Sequence, residues 1–110
     1  MNIAVNEENG VRILSVSGRM DATNSADFDQ AAKELLGTAP SRILLDLSRL
    51  EFISSAGLRV VLILGKACQE HSLTLAFCDL QPMVAEIFSI SSFDAIFKIF
   101  PTKEEALKNL

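Results

Sequence analysis

The chain has 110 residues, 49% of them hydrophobic, which is enough for one domain with its own core. Its net charge of −4 and its lack of tryptophan and tyrosine argue against a nucleic-acid surface, because such surfaces need clustered cations and aromatic stacking platforms. Two cysteines and one histidine cannot assemble a zinc framework, and no apolar run approaches the ~20 residues of a membrane span.

The N-terminus and the cysteines indicate the compartment. Residues 1–4 read MNIA, which is not the basic and then apolar pattern of a signal peptide. Cys68 and Cys78 lie inside apolar stretches, as buried free thiols do in a reducing compartment. We therefore expect a cytoplasmic protein with a single domain, residues 1–110, and with no metal or cofactor.

The first predicted elements form a β-hairpin. Ile3 and Val5 alternate with small or polar neighbours, which is the period of a half-buried strand. The pair Asn9-Gly10 favours a tight turn, and residues 11–16 are predicted to be the returning strand. Residues 18–21 are expected to form a loop.

Helices and strands alternate after this hairpin. A first helix begins at Thr23, Asn24 or Ser25, any of which can cap it, and ends at Gly37. Its core-facing residues have helical spacing and are Phe28, Ala31 or Ala32, and Leu35. The elements predicted next are a strand at 43–47, a loop at 48–53, a helix at 56–70, a strand at 73–77, a helix at 82–89, a strand at 96–100 and a last helix opened by a capping box at 102–105. This alternation predicts an α/β fold with a mixed, mainly parallel sheet.

The loops that leave parallel strands at their carboxyl ends share one edge of the sheet, where binding sites usually lie. In this chain those loops are residues 18–24, 48–55 and 79–81. We therefore expect one surface to carry four polar side chains: Asp21, Asn24, Ser54 and Ser55.

The stretch LEFISSAGLRVVL, residues 50–62, places two serines where a polar segment turns into an apolar helix. A catalytic serine at position 55 would need a nearby base, yet the only histidine, His71, lies ~24 Å away at the far end of that helix. A phosphate-binding loop does not fit either, because Gly57 is too far from the pair Gly65-Lys66.

Two compatible roles remain for the serines. The pattern by itself favours a helix cap, which needs only one of them. A phosphate on Ser55 would also be tolerated at the positive end of the helix dipole, where it could repel a docking partner. The small residues Ala56 and Gly57 would leave room for a kinase to approach.

The helix that follows the serines has one mixed face. Arg59, Lys66 and Glu70 recur on that face, and Ile63 lies among them. The other faces are apolar and are predicted to face the core: Leu58, Val60, Val61, Leu62, Leu64 and Ala67. Ser55, Arg59 and Ile63 thus form one continuous ridge, as a partner-binding helix would.

These residues resemble a known family. The stretch RILLDLSRLEFISSAGLRVVL, residues 42–62, resembles the signature of the STAS domain, the family of anti-sigma factor antagonists. Residues 11–28 are similar to the second strand and following loop of the family, and residues 97–110 are similar to its closing strand and helix. The resemblance implies the STAS fold, with helices mainly on one face of the sheet.

The resemblance also implies a regulator that is not an enzyme. The unphosphorylated antagonist of this family binds an anti-sigma factor that is also a serine kinase, and this frees a sigma factor. Phosphorylation by that kinase releases the antagonist, and a serine phosphatase resets it. Neither nucleic acid nor a membrane span is expected to take part.

The family motif assigns roles to particular positions when it is laid on residues 52–58. The resemblance implies that Ser55 is the phosphorylated residue, while Ser54 replaces the aspartate usual in the family and is an alternative acceptor. Asp21 matches a loop aspartate near the partner surface, and Asp46 matches a strand-end aspartate with a structural role. The expected partner-binding set is Asp21, Asn24, Ser54, Ser55, Arg59 and Ile63.

One alternative keeps the family and changes the function. The chain could be a STAS adaptor subunit of a signalling or lipid-transport assembly that is never phosphorylated. A small-molecule-binding module has less support, because the sequence contains no ligand-specific cluster of polar residues. The oligomeric state is open.

Overall fold

The computed structural model describes residues 1–110 and contains one five-stranded sheet. The strands are β1 (Asn2–Glu8), β2 (Val11–Met20), β3 (Arg42–Ile53), β4 (Thr74–Cys78) and β5 (Lys98–Phe100). The helices are α1 (Ser25–Gly37), α2 (Ser55–Glu70), α3 (Pro82–Ile90), α4 (Phe93–Ile96) and α5 (Lys103–Asn109). The strands follow chain order across the sheet, with β1 antiparallel to β2 and the other neighbours parallel. The predicted α/β fold class is therefore confirmed.

The hairpin turn between β1 and β2 forms as the residue pair predicted. Asn9 and Gly10 have φ angles of 53° and 75°, in the left-handed region that a tight turn of this type requires. Of the two large apolar residues in β1, only Ile3 packs against the core, and Val5 is 49% exposed. The strand is less buried than its alternating pattern predicted because it is an edge strand.

The two faces of the sheet carry cores of different size. Helices α1 to α4 cover the larger core, to which they contribute Phe28, Ala32, Leu35, Val60, Val61, Leu64, Cys68, Val84, Phe88 and Phe93. Only α5 covers the other face, where Ala106 packs with Val11, Ile13, Leu44, Ala76 and Cys78. This confirms helices mainly on one face, and both cysteines are buried free thiols as expected.

The paired ends of β2 and β3 correct two predicted loops. Residues 18–21 and 48–53 were expected to be irregular, yet β2 and β3 remain paired as far as Met20 and Ile53. Burial of Leu50 and Ile53 stabilises the extension although Ser48, Arg49 and Glu51 are polar. The register between β2 and β3 shifts twice along this pairing, once between Ser15 and Ser17 and once between Gly18 and Arg19.

The extension of β3 also changes which loops lie together at the edge of the sheet that was predicted to carry the binding surface. Strand β4 pairs with β3 only as far as Asp46, so β3 and its partner β2 continue past the end of β4. The loop at 79–81 therefore lies beside the middle of β3, where the Gln81 amide donates to the Ser48 carbonyl at 2.8 Å. The loop does not join the surface expected to carry the serines.

The C-terminal third differs from expectation in one element. Ile96 was predicted to begin a strand, but it ends the short helix α4, and β5 starts at Lys98. The ring of Phe97 packs between Phe77 and Phe93, which fixes this turn by tertiary contacts. Thr102 caps α5 as predicted by accepting a hydrogen bond from the Glu105 N–H at 3.1 Å. None of the helices is both long and apolar enough to cross a membrane.

Candidate functional site

The paired ends of β2 and β3 bring two helix starts together. Met20 and Ile53 are register partners, and the Ser54 N–H donates to the Met20 carbonyl at 2.8 Å. The loop that leads into α1 and the first turn of α2 are therefore neighbours. The structure thus brings Asp21 and Asn24 to the same end of the molecule as the two serines.

The loop before α1 is closed by its own polar side chains. Asp21 Oδ1 accepts from the backbone N–H and the hydroxyl of Thr23, at 2.9 and 2.6 Å. Asn24 Oδ1 accepts from the Asp21 N–H, and its amide donates to the Arg19 carbonyl, both at 2.9 Å. The hydrogen bond from the Thr23 hydroxyl is the main cause that holds the pKa of Asp21 below its ordinary value. Asn24 occupies the cap position of α1 but directs its side chain to this loop rather than to the helix.

The two serines before α2 have different environments. Ser54 is the cap residue, and its Oγ accepts from the Gly57 N–H at 3.3 Å. Ser55, the first residue of the helix, is exposed, and its hydroxyl forms no hydrogen bond within the chain. The structure therefore assigns the cap to Ser54 and leaves the hydroxyl of Ser55 available to another molecule.

Gly57 has a packing role that differs from its predicted one. It was expected to give a kinase room, but it is buried and faces the ends of β2 and β3. A Cβ at this position would lie 2.7 Å from Met20 Sδ and 2.8 Å from Ile53 Cγ1. The glycine lets α2 begin directly against the sheet, which sets the position of the serines.

The ridge along α2 is exposed as predicted. Ser55 and Arg59 are exposed, and the side chain of Ile63 is 52% exposed. Leu62, which was predicted to face the core, is 48% exposed, because the helix does not bury that face. The sequence pattern missed Leu62 because its neighbours Val60, Val61 and Leu64 do enter the core.

Catalysis by Ser55 and the only histidine is excluded by position. His71 is the C-terminal cap residue of α2, whereas Ser55 is its first residue. The helix has 16 residues, so about 24 Å separates its two ends. No proton can pass directly between these two side chains.

A cluster of Asp46, Cys78 and Asp79 lies where β4 ends beside the middle of β3. Burial and the two neighbouring carboxylates raise the pKa of Cys78, so its thiol keeps its proton at neutral pH. Asp46 accepts the Ser48 N–H at 3.0 Å, and Asp79 accepts the Lys103 N–H at 2.8 Å. These hydrogen bonds agree with the structural role expected of Asp46.

Known proteins resemble the whole chain. A Bordetella bronchiseptica protein provisionally named anti-sigma factor antagonist BtrV is 34% identical over 96% of this chain and 91% of its own length. The crystal structure of an anti-sigma factor antagonist from Mycobacterium paratuberculosis has a TM-score of 0.90 at 24% identity, covering 98% of this chain and 92% of that one. SpoIIAA, an anti-sigma factor antagonist, shares the fold in its unphosphorylated form with a TM-score of 0.81 at 17% identity, covering 98% of this chain and 95% of that one. Its phosphorylated form has a TM-score of 0.74 at 16% identity, covering 98% of each chain.

The sequence model of the STAS domain matches residues 2–106, which include every strand of the sheet and the serine pair at the start of α2. With this match over nearly the whole chain, and with a relative above 30% identity, the chain belongs to the STAS domain family.

Proposed function

We propose that this protein is an anti-sigma factor antagonist that is switched by phosphorylation of Ser55. One observation carries the choice of residue: Ser55 is exposed and free of hydrogen bonds, whereas Ser54 is engaged as the cap of α2. The similarity to BtrV, which has the same class of name, supports the functional class. The unphosphorylated form binds the anti-sigma factor and thereby frees a sigma factor.

The start of α2 can accept a phosphate without loss of the fold. No acidic residue lies in the first turn of this helix, so the added negative charge meets the positive end of the helix dipole. The backbone N–H groups of the first turn point toward the same end of the helix. The fold therefore tolerates the modification, and its effect falls on the docking surface.

Arg59 gives the phosphate a second partner. It lies one helical turn after Ser55 on the same ridge and forms no ion pair with a carboxylate of this chain. A phosphate on Ser55 would therefore draw the Arg59 guanidinium away from any docked protein. Phosphorylation thus adds a repulsive charge and removes an attractive one on a single ridge.

The partners follow from this switch. The anti-sigma factor acts as the serine kinase, a serine phosphatase restores the hydroxyl, and both act in the cytoplasm, where ATP is available. The antagonist acts in this proposal as a regulator and not as an enzyme, and the only histidine, His71, lies at the far end of α2 from Ser55. Asp21 and Asn24 frame the docking surface beside α2, with their side chains held by the loop.

The test is phosphorylation of the purified protein by its cognate anti-sigma kinase in the presence of ATP, with the modified residue located by mass spectrometry. We expect one phosphate on wild type, one on Ser54→Ala and none on Ser55→Ala. If Ser55→Ala still becomes phosphorylated, the acceptor is Ser54. A protein that binds its partner but is never phosphorylated would be the adaptor instead.

A further inference from the structure

A groove of about 750 Å³ runs between the second half of α2 and the edge of the sheet formed by β4 and β5. One wall is a single face of α2, composed of Leu62, Gly65, Lys66 and Gln69 at helical spacing. The opposite wall is Ile96, Phe97 and Lys98, and the floor includes Leu73 and Leu75. A Cβ on Gly65 would collide with the Phe97 ring, so this glycine lets the ring lie against α2 and close the bottom of the groove.

The charges of the groove are all of one sign. Its only charged lining residues are Lys66 and Lys98, although acidic residues outnumber basic ones in the chain by 14 to 10. Lys33, Lys103 and Lys108 each form an ion pair with a carboxylate, at 3.0, 2.8 and 3.3 Å respectively. Lys66 and Lys98 form none, so the groove combines apolar walls with two unpaired cations.

The form of the groove favours a protein segment over a small amphiphile. Leu62 and Ile96 stand at opposite rims and are 48% and 61% exposed, so an occupant must be wide enough to cover both. The floor residues Leu73 and Leu75 are only half-buried, and a free fatty acid would leave much of its chain in water. An amphipathic helix laid in the groove covers the floor and both rims together.

We infer that this groove is a second docking surface for the anti-sigma factor, and that it binds an amphipathic helix with acidic residues beside its apolar face. The inference rests on the proposed function, because the groove adjoins the ridge at Ser55, Arg59 and Ile63. Ile63 of the ridge follows Leu62 of the groove directly along α2. The partner would cover the unphosphorylated Ser55 end of α2 and the groove side by side.

The first experiment measures affinity for the cognate anti-sigma factor. Reversal of both charges, Lys66→Glu with Lys98→Glu, should weaken binding ~10-fold or more at low salt, and the loss should shrink as salt screens the rim. The matched control is Lys33→Glu with Lys108→Glu, which makes the same charge change on α1 and α5 and should leave the affinity unchanged. Leu62→Gln with Ile96→Gln should also weaken binding while the melting temperature stays near that of wild type.

These results separate the inference from the proposed function. Ile63→Ala probes the ridge alone, so loss of binding in this variant together with normal binding in both groove variants would overturn the groove and keep the proposed function. Equal losses in Lys66→Glu with Lys98→Glu and in the lysine control would show a general charge effect and would also overturn the inference.

A second experiment does not need the anti-sigma factor. The probe is a synthetic amphipathic helix of about 16 residues with leucines on one face and flanking glutamates, titrated while backbone amide shifts are followed by NMR. Shifts at Leu62, Leu75 and Phe97 that disappear in Lys66→Glu with Lys98→Glu support the groove. Equal binding of a peptide with lysines in place of glutamates, or shifts produced by dodecanoate but not by the peptide, would overturn the assignment.

Discussion

Helices α1 and α2 both begin next to the paired ends of β2 and β3, but the polar side chains at the two helix starts have opposite roles. Before α1, the side chains of Asp21, Thr23 and Asn24 bond to one another and to nearby backbone groups. Before α2, Ser54 accepts one hydrogen bond at 3.3 Å, and the hydroxyl of Ser55 has no partner. A closed network holds a loop in one conformation, whereas an exposed hydroxyl without a partner can react or be covered. The side chains at the start of α1 therefore hold its loop in place, and the start of α2 is the position at which we propose that phosphorylation changes binding.

Phosphorylation of Ser55 should have the largest effect, a loss of partner affinity that arises at the start of α2 and not at the start of α1. The modification adds a charge of about −1.5 to −2, and the helix dipole stabilises that charge by roughly 0.3–1 kcal/mol, so unfolding should change little. In the complex, a phosphate buried against a surface that fits a hydroxyl, with Arg59 drawn away from the partner, costs ~2–5 kcal/mol, or about a 30- to 3,000-fold loss of affinity, mainly through faster dissociation. Calorimetric binding to the anti-sigma factor, together with melting curves, measures both effects.

The control for this prediction is Ser55→Asp, which has one charge and a different shape and should mimic the phosphate only in part. Equal affinities for the phosphorylated and unmodified proteins would remove the switch and favour the adaptor. A collapsed melting temperature would mean that the phosphate acts by unfolding the start of α2.

The packing under the start of α2 should be the next most sensitive feature. Gly57→Ala forces a Cβ toward Met20 Sδ and Ile53 Cγ1, at 2.7 and 2.8 Å, inside a closed core. Overpacking of this kind costs ~1–3 kcal/mol of unfolding free energy, measurable by urea denaturation. Gly37→Ala at the end of α1 is the matched control, since no atom lies within 4 Å of its added Cβ. If both variants lost the same stability, the close approach at Gly57 would not be the cause.

The two serines should differ in stability by less than this. Ser54→Ala removes the cap of α2 and should cost ~1 kcal/mol of unfolding free energy. Ser55→Ala removes an exposed hydroxyl without a partner and should stay within ~0.5 kcal/mol of wild type. Urea unfolding of the two variants side by side tests the assignment, and a larger loss in Ser55→Ala would reverse it.

The smallest effect should be the pH response of the loop before α1. Because hydrogen bonds from Thr23 lower the pKa of Asp21 in the folded state, the ionised form stabilises the fold above the unfolded value of 3.8. That stabilisation is lost as the pH falls through the folded value, which lies below 3.8. Thr23→Ala should move the pKa of Asp21 back up, as NMR titration of its carboxyl carbon would report. An unchanged titration would show that the Thr23 hydroxyl does not hold this loop.

Much of this molecule was determined by short stretches of its sequence. Asn9-Gly10 formed the predicted turn, Thr102 capped α5, and the helix predicted at 56–70 spans Ser55–Glu70. Turn residues, caps and helical periodicity depend on neighbours a few positions apart, so they can be identified without the fold. The motif at residues 52–58 pointed to the family for the same reason, and the sequence match confirmed it.

Other features depend on parts of the chain that are distant in sequence. The stretch at 48–53, which mixes polar and apolar residues, became a strand because Leu50 and Ile53 are buried against elements that the local pattern does not include. Ser54 is the cap and Ser55 is free because it is the Ser54 Oγ that accepts from the Gly57 N–H. Two neighbouring serines cannot be told apart in this respect from the sequence. The contacts of Gly57 likewise exist only after β2 and β3 have paired beneath α2, and the groove beside Leu62 exists only after β4 and β5 have done so. Pairing, close packing and exposure arise from contacts across the fold, and only the tertiary structure could decide them.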